Sequence, residues 1–293
     1  LFQHIVNGFT LGSVYALIAT GYSLVFSMVG MINLAFGAVL TIGALLALQI
    51  AVEYGMGIGL GLLVAVLVCG LLGWLTDESA VEPLRRQRLP IYFALLSTFG
   101  LNMVLQNIAE NVSLRAWQAE FKPFPAPFDI SEITIGSIRF SNLDLAVIGT
   151  VAAIMVGLHF YMTRTWGGRA VTMTASDSEV AEVMGVNTRR VIALIFFASC
   201  ALAALAGTMM GIYYGSVSSS LGSSPGMKGF IASLIGGRGQ IAGAVLGALI
   251  LGLMESLAAG LIGSGYRDLV AFLALIAMFL VKPAGILGGA QTR

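Results

Sequence analysis

The sequence predicts an all-α integral membrane protein: a polytopic bundle of about eight transmembrane helices plus a broken or re-entrant segment near 217–238, in one transmembrane domain over 1–293. Three observations carry this. Hydrophobic residues make up 58% of the chain and charged residues only 10%, against roughly 25% charged in an ordinary soluble domain. Mean hydropathy is +0.93, more apolar surface than a soluble chain of this length can hide. The apolar runs are long and continuous, whereas a membrane β-barrel shows alternating segments of about ten residues. A soluble enzyme, a nucleic-acid binder and a disordered chain are excluded together. Fifteen basic against 14 acidic residues leave a net charge of +1, with no global attraction for nucleic acid.

A helical span needs roughly 20 apolar residues to cross a hydrocarbon core of about 30 Å. Apolar segments fall near 5–28, 31–52, 57–76, 91–110, 143–163, 191–214, 240–263 and 267–282. The first lacks a basic flank and is too long for a signal-peptide core, so it reads as a span. The stretch 217–238 opens with Ser and Gly, contains Pro225 and offers only a short apolar run at 229–236. It is too short to cross alone, and irregular backbone at membrane depth needs cover from protein or a water-filled path.

Orientation follows from Lys and Arg in short loops. Loop 77–90 holds Arg85, Arg86 and Arg88; loop 164–190 holds Arg164, Arg169, Arg189 and Arg190; the tail holds Lys282 and Arg293. These stretches are expected in the cytoplasm. Loop 111–142, with Pro123, Pro125 and Pro127, is expected outside, and the turn 236–239 with Arg238 inside. Three full spans before loop 77–90 would put the N-terminus outside; a re-entrant 31–52 would put it inside.

Polar groups inside the apolar runs are the candidate functional residues. Asn33 lies in GMINLAFG, framed by glycines; an amide at depth is either a structural tie for a broken helix or part of a solute path. Thr98, Asn102 and Gln106 recur every four residues and share one helix face. They serve interhelical hydrogen bonding or line a path for a polar solute. Glu255 is a carboxylate within a span, a structural group or a proton-coupling one. Glycines recur every four residues at Gly207, Gly211 and Gly215, at Gly239, Gly243 and Gly247, and at Gly8 and Gly12. They fit close helix packing, or a dimer seam. Cys69 and Cys200 sit in apolar runs without disulfide or metal spacing. There is no GxxxxGK[ST] loop, no HExxH and no nucleophile elbow, so no catalytic, metal or cofactor site is expected.

Loop 164–190 reads RTWGGRAVTMTASDSEVAEVMGVNTRRV. Helix is expected over 174–185, capped by Ser176 or Asp177 with Glu179 in the first turn. Ala175, Val180, Ala181, Val183 and Met184 supply an apolar face, and Gly185 and Asn187 a stop. Such an element is a docking helix or a solvated loop helix.

The stretches NGFTLGSVYALIATGYSLVFSMVGMINLAFGAVLTIGA, EPLRRQRLPIYFALLSTFGLNMVLQN, RAVTMTASDSEVAEVMGVNTRRVIALIFFASCALAALAG, GMKGFIASLIGGRGQIAGAVLGALILGLMES and KPAGILG, in that order, resemble the LivH-type permease subunits of branched-chain amino acid ABC importers. The resemblance runs from about residue 7 to residue 288. It implies a multi-pass permease of the bacterial inner membrane with no ATPase of its own. Its implied partners are a second permease subunit (LivM-like or a copy of itself), two ATP-binding cassette subunits and a periplasmic substrate-binding protein. It also implies that the loop holding Arg169, Asp177, Glu179, Glu182, Gly185 and Asn187 docks on the ATPases. Residues 113–141 depart from the family pattern, so a urea or short-amide permease stays open as an alternative. An ion-coupled secondary transporter is the competing class, and it would have to rely on Glu255.

Overall fold

Every apolar segment forms one helix, because a backbone that leaves water must satisfy its own hydrogen bonds. The computed structural model describes residues 2–87, 89–117, 121–125, 132–135, 138–237, 239–282 and 284–288. Arg88, Pro127, Arg238 and Arg293 lie outside the described residues. The helices are α1 (Phe2–Val29), α2 (Phe36–Val52), α3 (Gly57–Thr76), α4 (Glu82–Arg86), α5 (Ile91–Trp117), α6 (Asn142–Arg164), α7 (Trp166–Ser176), α8 (Ser178–Val183), α9 (Thr188–Tyr214), α10 (Ser223–Gly236), α11 (Ile241–Leu261) and α12 (Arg267–Val281). A π-turn at Asp77–Val81 extends α3 into α4. Among the described residues, seven helical stretches are long and apolar enough to cross a membrane, α12 being counted with the 3-10 turn Ser264–Tyr266 that leads into it, and α2, at 17 residues, is a shorter eighth. The segment 217–238 resolves into a short strand, β4 (Ser216–Ser218), and the 14-residue α10.

Helices α1 and α9 are the buried centre of the bundle. Apolar on all sides, they suit a position surrounded by other helices. Helices α5, α6 and α12 are largely exposed and present rows such as Leu269, Phe272, Leu273 and Ile276 outward. An apolar exterior of this kind is stable against lipid, not water.

Two stretches share one plan. Helix α1 has 28 residues and ends at Gly30, with φ +70°; an irregular stretch follows, then the short α2, then α3. Helix α9 has 27 residues and ends at Gly215, with φ +65°; an irregular stretch follows, then the short α10, then α11. Glycine is what a left-handed helix stop accepts without strain. The packing is reciprocal: α1 lies on α11 and α3 on α9, while α2 packs on α3 and α9, and α10 on α11 and α1. The two units run in opposite directions. Gly8 and Gly12 meet Leu253 and Leu249 of α11, and Gly43 and Leu40 meet Ala204 and Gly207 of α9, both antiparallel. The Gly8, Gly12, Gly207, Gly243 and Gly247 stripes are therefore spent on packing within the chain. Between α1 and α9, the Ser199 hydroxyl donates to the Gly21 carbonyl at 2.9 Å.

Ion pairs mark both ends of the bundle. Arg189 pairs with Glu78 and Glu82, both at 3.3 Å, joining the segment after α3 to the start of α9. At the other end Lys122 pairs with Glu53 at 3.1 Å, and β1 (Phe121–Pro123) pairs antiparallel with β4. A hairpin of β2 (Glu132–Ile135) and β3 (Ile138–Ser141) completes the described part of 111–142. Helix α1 starts at this second end, where Ser256 near the end of α11 donates to the His4 carbonyl at 2.6 Å. The chain therefore traverses the bundle three times before Arg85, and its first helix begins at the end opposite the arginines.

The loop 164–190 departs from its expected shape. Helix starts at Trp166, not near 174, because the Thr165 hydroxyl accepts the Gly168 N–H at 3.1 Å and caps it. Gly167 and Gly168 lie directly against Tyr161 and Met162, so close packing outweighs their low helix propensity. Asp177, at φ −158°, breaks the helix and starts another: its carboxylate accepts from the N–H groups of Glu179 (2.9 Å) and Val180 (3.0 Å). Gly185, at φ +86°, ends α8. Asn187 caps α9 rather than stopping α8, by accepting from the Arg190 N–H at 3.1 Å.

Candidate functional site

The two irregular stretches meet inside the bundle. Gly37, in the first turn of α2, lies against Gly222 and Gly226 at the start of α10, and the Gly222 N–H donates to the Thr41 hydroxyl at 2.9 Å. Backbone groups freed by the breaks need partners where they are buried. The Asn33 side-chain oxygen accepts the Ala35 N–H at 3.1 Å. The Thr98 hydroxyl accepts the Leu34 N–H at 3.3 Å and donates to the Leu95 carbonyl at 3.0 Å. The Gln106 amide donates to the Ser219 carbonyl at 2.6 Å. The polar face of α5 is thus set against both breaks, Thr98 at the first and Gln106 at the second.

A cavity of about 310 Å³ lies between these elements, within the lower range for small-molecule pockets. Tyr22 of α1, Ile32 and Leu34 of the first break, Phe99, Asn102 and Gln106 of α5, and Ser223, Met227 and Phe230 of α10 line it. The wall is apolar and aromatic, and its polar residues are Asn102 and Gln106, with carboxamides, and Tyr22 and Ser223, with hydroxyls. Of the polar residues singled out in the sequence, Asn102 and Gln106 reach this wall. Asn33 and Thr98 are fully buried and stand behind it, holding backbone. The Asn33 Nδ2 is buried without a partner among the described residues.

Glu255 is not a lone charge. Its carboxylate accepts from the Lys228 ammonium at 2.7 Å and from the Tyr15 hydroxyl at 2.9 Å, and Lys228 also pairs with Asp268 at 2.8 Å. Helices α1, α10, α11 and α12 converge on this network. Sequence reasoning passed over Lys228 because it sits in the irregular 217–238. The signal was present: a carboxylate in a span needs a cation, and Lys228 lies within a short apolar helix. Among the described residues, no group of three or more His, Cys, Asp or Glu is placed to hold a metal.

In the 164–190 loop, the Arg169 guanidinium stands over the Trp166 ring at 5.6 Å. Glu182 accepts a hydrogen bond from the Thr188 hydroxyl, tying α8 to the start of α9. Of the expected apolar face, Ala181 is buried, whereas Val180, Val183 and Met184 point outward, Val183 at 88% exposure. Their outward position, beside Glu179, makes a small apolar and acidic surface at the arginine-rich end.

Residues 4–281 match the family described as "Branched-chain amino acid transport system / permease component". The chain belongs to this family. It is 38% identical over 98% of its length to the high-affinity branched-chain amino acid transport system permease protein LivH of Escherichia coli (strain K12), covering 95% of that protein. Against the corresponding permease protein BraD of Pseudomonas aeruginosa it is 35% identical, with 98% and 95% covered. A more distant relative is the fructose import permease protein FrcC of Rhizobium meliloti, 27% identical over 76% of this chain and 62% of that one. Among solved structures, PsaBC from Streptococcus pneumoniae in complex with Fab matches at a TM-score of 0.51 and 13% identity, covering 95% of this chain and 91% of that one. That likeness concerns the fold alone. The family is that of a transport-system permease component, and the bundle described above, with seven membrane-long helical stretches among the described residues, is a multi-pass one.

Proposed function

We propose that this permease passes branched-chain amino acids through the bacterial inner membrane within an ABC importer. One observation carries the reading: a cavity of about 310 Å³ at the meeting point of two broken helices, aromatic and aliphatic on most of its wall, with Asn102 and Gln106 set into it. An apolar wall suits a branched side chain, and carboxamides supply both donors and acceptors for the polar end of an amino acid. Asn33 and Thr98 support the path by fixing its backbone. The two breaks give the protein elements that can move without unravelling a full span, which alternating access needs.

The chain carries no nucleotide-binding motif, so energy enters through partners: two ATP-binding cassette subunits, a periplasmic substrate-binding protein, and a second permease subunit, LivM-like or a second copy. The loop with Arg169, Asp177, Glu179, Glu182, Gly185 and Asn187 is the surface offered to the ATPases. Its outward Val180, Val183 and Met184 and its acidic Glu179 give it an apolar centre with a polar rim. Glu255, engaged by Lys228 and Tyr15, is assigned to structure rather than to proton coupling.

Uptake by the assembled importer in proteoliposomes tests the cavity. Asn102→Leu, close in volume, removes one hydrogen-bonding group and raises KM for leucine roughly tenfold, the equivalent of about 1.4 kcal/mol. Unchanged uptake overturns the assignment of the cavity. Charge reversal at Asp177 and Glu179 tests the loop: cargo-stimulated ATPase activity falls while the subunit stays inserted, and normal stimulation refutes docking there.

A further inference from the structure

Lys228 is a buried cation on the short helix that walls the cavity, and its two carboxylate partners stand in opposite surroundings. Ser223, Met227 and Phe230 recur at three and four residues, share one face of α10 and line the cavity. Lys228 lies off that face and reaches α11 and α12. On the α11 side, Glu255 is 1% exposed and its second oxygen is held by Tyr15 of α1. On the α12 side, Asp268 is 64% exposed. Among the described residues, α12 buries only Ala271, so it adheres loosely.

We infer that Lys228 is a positioning residue for the transport path, resting on the reading of the cavity proposed above: its pair with Glu255 locks α10 to α11 and α1, and its pair with Asp268 is an exchangeable tether to α12. The asymmetry follows from solvation. Parting Lys228 from Glu255 leaves a charge with no water to receive it. Parting Lys228 from Asp268 frees a carboxylate that the chain already leaves mostly uncovered. Helix α10 therefore travels with α11 as one body and can shift against α12. The cavity wall moves when that body moves, so what Lys228 sets is how cargo seats against Met227 and Phe230.

The test has a readout that does not depend on transport. Cys69 and Cys200 are buried, so Met227→Cys supplies an accessible thiol on the cavity wall, labelled by a small water-soluble thiol reagent in membranes holding the full chain. In that background Lys228→Met and Glu255→Gln each change the labelling rate at least about tenfold. Lys228→Met combined with Glu255→Gln brings it back to within about twofold, because the pair is then neutral and Tyr15 keeps an acceptor. Asp268→Asn changes it less than about threefold. A wild-type rate in Lys228→Met overturns the inference, as does a double variant no closer to wild type than the singles. Should a single variant fail to accumulate, the reciprocal exchange Lys228→Glu with Glu255→Lys is used together with Asp268→Asn, so that no second carboxylate faces position 228, and a labelling rate within about threefold of wild type is the supporting result; a larger displacement overturns it. In the assembled importer, Lys228→Met raises KM for leucine with kcat nearly kept, and the double variant restores it. Altered labelling with unaltered uptake leaves the positioning role standing and removes the cavity from the transport path; altered uptake with unaltered labelling removes the positioning role.

Discussion

The two inverted units of this permease have the same shape and are closed by different chemistry. In the first, a break follows α1 and its freed backbone is held by neutral groups: the Asn33 amide at Ala35 and the Thr98 hydroxyl at Leu34. Ten of the 17 residues of α2 are buried and none is charged. In the second, a break follows α9, strand β4 takes up part of the slack against β1, Gln106 holds Ser219, and the short helix carries the buried Lys228. A neutral tie acts over one or two residues. An ion pair in low dielectric reaches across helices, and it joins α10 to three of them. Equal architecture therefore gives unequal mechanics: α2 is fixed where it stands, and α10 is fixed to a neighbour.

The largest effect that separates the units is expected from Glu255→Ala. It leaves the buried Lys228 with only the exposed Asp268 as a partner and the Tyr15 hydroxyl without its acceptor, and breaking a buried pair from one side costs about 3–5 kcal/mol. Thermal unfolding in detergent, followed by the exposure of Cys69 and Cys200, reads this as a clear drop in Tm. A Tm within a degree of wild type breaks the comparison, since the second unit would then be no more charge-dependent than the first.

Asn33→Ala probes the first unit in the same assay. It leaves the buried Ala35 N–H unpaired, at about 1–3 kcal/mol. Thr98→Val, near-isosteric, removes the acceptor for Leu34 and costs about 1 kcal/mol. Both rank below Glu255→Ala. If Asn33→Ala proves the more damaging, the first break, not the charged second one, is the weak point of the bundle.

How much of this was legible in the sequence divides along the same line. The eight apolar segments match eight helices because lipid compels every spanning backbone to bond to itself, and hydropathy reports that directly. The polar face Thr98, Asn102 and Gln106 was visible from spacing, and a helix cap was legible as Ser176 or Asp177, of which Asp177 starts α8. Two things were hidden. The reciprocal packing of α1 on α11 and α3 on α9 is a property of shape, and no residue signals it. Lys228 was hidden by context: within SSPGMKGF it reads as part of an irregular loop, and only the position of Glu255, 27 residues further on, shows which group it serves. The start of α7 was missed for a related reason, since Gly167 and Gly168 argue against helix until Tyr161 and Met162 are seen packed on them.

The smallest effect sharpens the comparison most. Asp268 makes as short a contact with Lys228, 2.8 Å against 2.7 Å for Glu255, so distance alone ranks the two pairs as equals. Exposure separates them. At 64% exposed, Asp268 loses little hydration when paired and regains it when released, and such pairs contribute about 0–1 kcal/mol. Asp268→Asn should therefore shift Tm by no more than a degree or two, and raising the salt concentration should shrink even that difference. Glu255→Gln should remain costly at every salt concentration, because ions do not reach it. A salt-sensitive Glu255→Gln, or an Asp268→Asn as damaging as Glu255→Ala, would place Lys228 in water rather than in the bundle. The two units would then differ in sequence but not in mechanics.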